Sequence, residues 1–232
     1  MSEHSAVLPH VLVSPHHLAG AGDSGLVTTH LREHGWRDVS EPACLRTDLE
    51  SPDSTIRLCL EPDPEHPWWT VLGTPLHGAL WHATFQAHTP AELILAFAQA
   101  LTHPDDAPST DPFQVLHDAG WTQPFAHNPH YKRQPPDKLL TWDLRRDEDV
   151  NGWYARCRIA GTPVWSAVLS THTPLPAVTA FATALADTRP LPRTLGSIPI
   201  AARRFLARNA PTSHPTTALP ARLHPTPAVR IR

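Results

Sequence analysis

The sequence predicts an α+β fold of two pseudo-symmetric units packed together. Each is a helix, a four-stranded antiparallel sheet and a second helix, and a basic C-terminal helix and a disordered tail follow. Three observations predict it. Scaffold residues recur without a gap 84 positions later: Trp69, Trp81, His88-Thr89-Pro90 and Ala96-Phe97-Ala98 return as Trp153, Trp165, His172-Thr173-Pro174 and Ala180-Phe181-Ala182. Short β-branched and aromatic runs alternate with Pro, Asp and Gly, as in an antiparallel meander. Helix signals bracket both copies. A unit this small has a marginal core of its own and is expected to bury apolar surface against its twin.

The elements follow in order. Val11-Leu12-Val13-Ser14-Pro15 reads as an added edge strand. A short helix over Leu26 to His34 ends at Gly35-Trp36, and one over Pro112 to Ala119 ends at Gly120-Trp121. Glycine suits the left-handed C-terminal position, where the next apolar residue folds back over the last turn. The first copy then has strand segments at Leu45 to Glu50, Thr55 to Leu60, Trp68 to Leu72 and Leu80 to Ala87. Their counterparts are Tyr131 to Gln134, Lys138 to Leu144, Gly152 to Ile159 and Val164 to Thr171. Pro52-Asp53 and Pro136-Asp137 mark the turn between the first two strands of each set. Thr89 is expected to cap the closing helix, with Pro90 at its first position and Glu92 completing a capping box; Thr173-Pro174 repeats the cap. Leu93, Ile94, Phe97 and Leu101 share one face, as do Ala177, Val178, Phe181 and Leu185, and these faces should cover the sheet. The units are placed at 10–104 and 111–190, joined by a Pro/Asp/Ser linker. An extension at 191–232 contains a basic helix over about 197–209 and a Pro/Thr/Ala/Arg-rich end expected to be disordered.

Trp68-Trp69-Thr70, the Trp81-His82-Ala83-Thr84-Phe85 strand, the Thr-Pro helix start and the Ala-Phe-Ala-x-Ala-Leu helix body resemble a family from Streptomyces and related actinobacteria, a domain of unknown function commonly carried as a tandem pair. Leu12 to Gly20 and Ser51-Pro52-Asp53 with Ile56-Arg57-Leu58 are similar to it too. The resemblance covers roughly residues 10 to 190. It implies a fold and a source, and it brings no activity and no catalytic residues.

The formal charge of −3 hides a division. All 22 acids lie at or before Asp187, so residues 1–187 hold 22 acids and 11 bases, a formal −11, while eight arginines follow with no acid among them. Cys44, Cys59 and Cys157 show no metal spacing and read as reduced structural thiols. No basic segment followed by an apolar run opens the chain, and no stretch approaches the roughly 20 apolar residues of a membrane span, so a cytoplasmic protein is expected.

Candidate chemistry is sparse. Among the 17 histidines, His16-His17 are adjacent and His30 and His34 share a helix face, but neither set has a Cys or carboxylate at ligand spacing; no metal and no cofactor are expected. His88 and His172 repeat without a repeated nucleophile or orienting group and read as packing beside a helix start. Asp53 and Asp137 read as turn residues. Trp36, Trp69, Trp81, Trp121, Trp153 and Trp165 pair across the copies and read as core, which leaves Trp68 as the recognition candidate if exposed. Arg203, Arg204, Arg208, Arg222, Arg230 and Arg232 form a basic tail. It reads as a solvated extension, a contact for nucleic acid or anionic membrane, or a segment docking on an acidic surface.

Scaffold residues repeat and reactive ones do not. The expectation is therefore a non-enzymatic binding or adaptor protein that recognises a protein or peptide through the paired sheets, with no catalytic residues. The alternatives are nucleic-acid binding through the arginine tail, and an enzyme whose site would need a deep pocket of convergent titratable groups, for instance near His88 or His172.

Overall fold

The computed structural model describes residues 10–63, 66–104, 110–124, 131–146 and 151–209, with the side chains of 207–209 outside the description. The first copy runs α1 (Gly25–Glu33), β2 (Arg37–Asp38), β3 (Thr47–Glu50), β4 (Ile56–Leu60), β5 (Trp69–Gly73), β6 (Trp81–Phe85) and α2 (Ala91–Thr102). The second runs α3 (Pro112–Asp118), β7 (Lys132–Arg133), β8 (Leu140–Arg146), β9 (Asn151–Ile159), β10 (Thr162–Ser170) and α4 (Leu175–Ala186). Around them lie β1 (His10–Val13), a 3₁₀ turn over His16–Leu18, β11 (Leu191–Thr194), a 3₁₀ turn over Leu195–Ser197 and α5 (Ile200–Asn209).

The two copies share a single antiparallel sheet of nine strands, ordered β2-β3-β4-β5-β6-β10-β9-β8-β7. At the junction Ala83 pairs with Leu169, Thr84 with Val168 and Phe85 with Ala167. Thr84 and Val168 occupy equivalent positions of the repeat, so the pseudo-twofold axis passes between them. The same offset carries α2 onto α4 residue for residue. On one face lie the helices, in the order α1-α2-α4-α3, with α2 and α4 meeting at the axis.

Alternation along each strand decides what that face buries. Leu58, Trp69, Val71, Trp81, Ala83 and Phe85 of the first copy face the helices, with Trp142, Trp153, Ala155, Trp165, Ala167 and Leu169 of the second, and all are buried. All six paired tryptophans are buried, as expected. Phe85 receives both helix phenylalanines, with ring centroids 5.4 Å from Phe97 and 5.5 Å from Phe181. Trp81 lies across its partner strand: a Cβ on Gly73 would sit 2.0 Å from its indole, so only glycine fits there.

Local signals hold at the first helices and fail at the second. Gly35 and Gly120 adopt φ of +81° and +82°, and the Trp36 and Trp121 amides each donate at 3.0 Å to a carbonyl five residues back, closing the helix ends as the Gly-Trp pairs predict. Thr89 and Thr173, by contrast, do not cap α2 and α4. Pro90 and Pro174 hold the cap position, their carbonyls accepting from Leu93 and Ala177 at 3.0 Å. The threonine amides close a preceding turn onto Gln86 and Ser170, and the Thr173 hydroxyl donates to the His82 carbonyl across the junction. Glu92 is likewise taken from the expected capping box, because it pairs with Arg193 at 2.5 Å.

The expected edge strand β1 does not join the main sheet. It pairs antiparallel with β11, His10 to Thr194 through Val13 to Leu191, as a separate ribbon between the two ends of the described chain. Pro192 in β11 has no N–H to give a ladder, which suits a strand with one partner and a free edge. Arg193 is buried and donates to the Ala19 carbonyl at 3.1 Å as well as to Glu92; Ile198 and Ala202 are buried too. Residues 191–206 are thus packed on the body, and the stretch from Pro211 expected to be disordered lies outside the described residues. Among the described residues no helix is long and apolar enough to cross a membrane.

Candidate functional site

A groove of about 970 Å³ runs over the outer side of the helix layer, where the two copies meet. Its floor is alanine: Ala96 and Ala100 from α2, Ala180 and Ala184 from α4. On each helix the two are four residues apart and share one face, and their short side chains leave a depression where longer ones would fill it. Each floor residue has its repeat partner in the floor. The same holds for Gln99 and Thr183, and for His103 and Asp187 just past the helix ends. The walls correspond as well, at the 85-residue spacing of the Gly-Trp pairs: His30 of α1 and His34 at its C-terminal end stand where Val115 of α3 and Ala119 at its C-terminal end stand across the axis. The groove is therefore a property of the pair and cannot exist in one copy.

Its two walls have diverged. The first copy contributes a cluster of three imidazoles: His30 and His34 lie tilted with ring centroids 4.0 Å apart, and His103 meets His34 edge to face at 4.9 Å. His34 donates from Nδ1 to the His30 carbonyl at 2.7 Å, which fixes its ring. Burial first, then the neighbouring His34 and His103, hold the His30 pKa below its usual value, opposed weakly by Glu33. The neutral form of His30 is thus favoured by folding. Stability is complete above the unfolded value of 6.5 and is expected to fall as acidification passes through it towards the lower folded value. A melting series from pH 7.5 to pH 5 checks this: His30→Gln should flatten the decline, and an unchanged slope would remove His30 from the account.

At the opposite end the charges are structural. His16 is buried, and both ring nitrogens meet carbonyl oxygens, Ala184 at 3.2 Å and Arg189 at 2.7 Å. A carbonyl only accepts, so a neutral ring satisfies one of them and a doubly protonated ring both. Hydrogen bonding from Arg189, chiefly, holds the Asp187 carboxyl below the usual carboxylate range, and the nearby His16 acts in the same direction. His17 is buried next to it. Its Nε2 contacts Asp137 at 2.8 Å, and its carbonyl accepts from the Trp165 indole at 2.9 Å. Burial pushes Asp137 up, yet the His17 contact and the Leu139 amide outweigh it and hold the group low. Asp53 and Asp137 both serve turns as expected, through the Thr55 and Leu139 amides, and Asp137 also anchors the N-terminal segment.

The groove can recognise but shows no nucleophile paired with a base. Its one hydroxyl, on Thr183, donates to the Thr179 carbonyl at 2.8 Å. His88 and His172 lie outside the groove and on the exposed side of the surface, though partial burial lowers the His88 pKa. Among the described residues no group of three or more His, Cys, Asp or Glu is placed to hold a metal ion, and Cys44, Cys59 and Cys157 are free thiols. Trp68 is half-buried against the core, with a buried indole nitrogen that has no hydrogen-bond partner. Arg203 is half-buried and Arg204 exposed on α5, while the Arg208 side chain and all of Arg222, Arg230 and Arg232 lie outside the description. None of these sequence-selected residues lines the groove. Of the lining, His16, His30 and His34 stood out in the sequence only as histidines without ligand spacing, and the floor was visible only as alanines repeated at the 84-residue offset.

Sheet, helix layer and axial groove define a tandem-repeat α+β protein whose two copies have merged into one body. The chain belongs to the SPDY family, a domain of unknown function (DUF317), whose model matches residues 50–107 and 134–191, once in each copy. Searches of the curated proteins and of the solved structures found no match.

Proposed function

We propose that the protein is a non-enzymatic cytoplasmic binding protein, an adaptor that receives a short helical segment of a protein partner in the groove over α2 and α4. The carrying observation is the alanine floor, repeated at equivalent positions of both copies and flanked by standing walls. Small residues one turn apart let a docked helix approach closely, which is the geometry of helix-in-groove recognition. Sequence reading assigned the grip to the paired sheets. The helices seal one sheet face, so the enclosed surface available to a partner lies on their outer side. A segment with an apolar face for the alanines and a hydrogen-bonding side chain for the imidazole cluster suits the lining.

Filling the floor tests this reading. A photo-crosslinking residue at Gln99 should trap one short segment of one partner, whereas the same residue at Leu72, exposed on the opposite side of the sheet, should not. Adding Ala96→Phe and Ala180→Phe should reduce the Gln99 product at least tenfold, about 1.4 kcal/mol of binding, while the melting temperature stays within a few degrees. Crosslinking that survives the filled floor, or that arises only from Leu72, would remove the groove as the partner site.

A further inference from the structure

The sheet face away from the helices has diverged between the copies more sharply than the groove has. One row crosses eight strands through the pseudo-twofold axis, running Asp48, Cys59, Thr70, Thr84, Val168, Tyr154, Asp143, Lys132. Its equivalent pairs are Asp48 with Lys132, Cys59 with Asp143, Thr70 with Tyr154 and Thr84 with Val168. Beside the row, Glu61 corresponds to Arg145, Leu72 to Arg156 and Thr74 to Arg158, whereas Arg57 and Glu50 correspond to the uncharged Thr141 and Gln134. Over these positions the first copy carries a formal −2 and the second +3, and Arg37 and Arg46, which pair with Glu50 and Asp48 on the same face, bring the first copy to zero. Core packing does not require that difference, because these side chains point away from the core.

In the second copy the cations are arranged around an aromatic ring. The guanidinium carbons of Arg145 and Arg156 lie 5.3 Å and 5.8 Å from the Tyr154 ring centroid. Buried Asp143 holds both, its Oδ2 accepting from Arg145 Nε at 3.2 Å and Arg156 Nη2 at 2.6 Å. A guanidinium has five donors, so each arginine keeps most of its fork for another acceptor. Lys132 stands opposite Asp143 in register, and exposed Arg158 has no acidic partner among the described residues. Cations on neighbouring strands around a ring, on the sheet face opposite α1 to α4, suit a long polyanion with planar groups more than a small ligand or a plain acidic peptide.

We propose that this open face of the second copy binds single-stranded nucleic acid, with Lys132, Arg145, Arg156 and Arg158 on phosphates and Tyr154 with its flanking guanidinium planes stacking bases. The neutral stretch through Val168 and Thr84 continues the track, and from β7 to β6 it spans roughly 19 Å at about 4.8 Å per strand. The body as a whole repels a polyanion, since residues 1–187 carry a formal −11. Binding therefore depends on local contacts. The connection between β8 and β9 holds Asp147, Glu148 and Asp149 in sequence. Arg156 and Arg158 stand roughly 17 and 23 Å along β9 from its near end, at about 3.3 Å per residue, beyond a Debye length of about 8–10 Å, while Arg145, opposite Gly152, lies within it.

The test is fluorescence anisotropy of a labelled oligothymidylate on the full chain, over a salt series. Wild-type protein should bind at low salt and weaken steeply as salt rises, with a logarithmic slope of about −0.7 per neutralised phosphate. Lys132→Glu with Arg158→Glu should weaken binding at least tenfold and make the slope shallower by about 1.4. Tyr154→Leu should also weaken binding about tenfold and leave the slope unchanged. Arg222→Gln, Arg230→Gln and Arg232→Gln together should leave affinity within about threefold. Melting curves identify a variant that fails to fold, and the Tyr154 and Lys132/Arg158 variants then stand in for one another. No binding at low salt, wild-type affinity in both face variants, loss confined to the tail variant, or equal competition by polyglutamate of the same length would each overturn the proposal.

Discussion

Replacing Phe181 with alanine is expected to destabilise the whole protein by about 3–5 kcal/mol, the range for truncating a buried aromatic. The side chain is fully buried on α4 of the second copy, yet it packs on Phe85 of the first at 5.5 Å and stacks on Trp142 at 6.0 Å. Removing it leaves a cavity against both halves of the sheet. Phe97, its repeat partner on α2, reaches the same Phe85 ring at 5.4 Å and should show a comparable loss. Because both phenylalanines bear on one residue, the copies should unfold together. At about 2–4 °C per kcal/mol for a chain of this size, the single transition should move down by roughly 6–20 °C. Scanning calorimetry on both variants decides it: two separated transitions, or a loss under about 1 kcal/mol, would mean that the copies are independently stable and that the shared core matters little.

The second large effect is expected at Arg193. Its side chain is 7% exposed and joins Glu92, the Ala19 carbonyl and the Pro192 carbonyl, tying β11 to the start of α2 and to the N-terminal segment. Arg193→Ala strands the Glu92 carboxylate, which is 21% exposed and so partly relieved by water; a cost of about 2–4 kcal/mol follows, somewhat below the range for breaking a fully buried pair. Arg193→Met combined with Glu92→Leu should recover most of it, because an apolar pair has no charge to leave uncompensated. Urea unfolding of the two singles and the double gives the coupling directly. Additive losses would show that the pair is not the clasp.

The sequence made the repeated scaffold legible because core residues leave a strong periodic trace. Strand alternation around Trp69, Trp81, Trp153 and Trp165, the Gly-Trp helix ends and the helix faces of Phe97 and Phe181 all depend on neighbours a few residues away, and they appear where local pattern places them. What failed was set by distant partners. Thr89 has the chemistry of a cap and Glu92 that of a capping box, but Glu92 is claimed by Arg193, 101 residues later. The strand at Val11 looked like an edge of the main sheet, and its partner β11 carries proline and arginine, which give no strand signal of their own. The groove was readable only in hindsight of the helix order, since Ala96, Ala100, Ala180 and Ala184 are unremarkable until α2 and α4 lie side by side. The basic cluster on the open face is also non-local: Lys132, Arg145, Arg156 and Arg158 are scattered over three strands, and registration brings them to one ring.

The outermost strands of the nine-stranded sheet, β2 and β7, are two residues long, whereas the longer strands β6 and β10 lie inside it. An unpaired backbone edge is a template for further chain addition, and short flanks remove it. Joining the copies head to head uses up the one edge of each that was long enough to recruit another chain, and equivalent residues facing each other make that contact self-complementary. Fusion into one polypeptide thus turns an open-ended stacking hazard into a closed pair, and it frees the two halves to drift apart in chemistry while remaining locked in register.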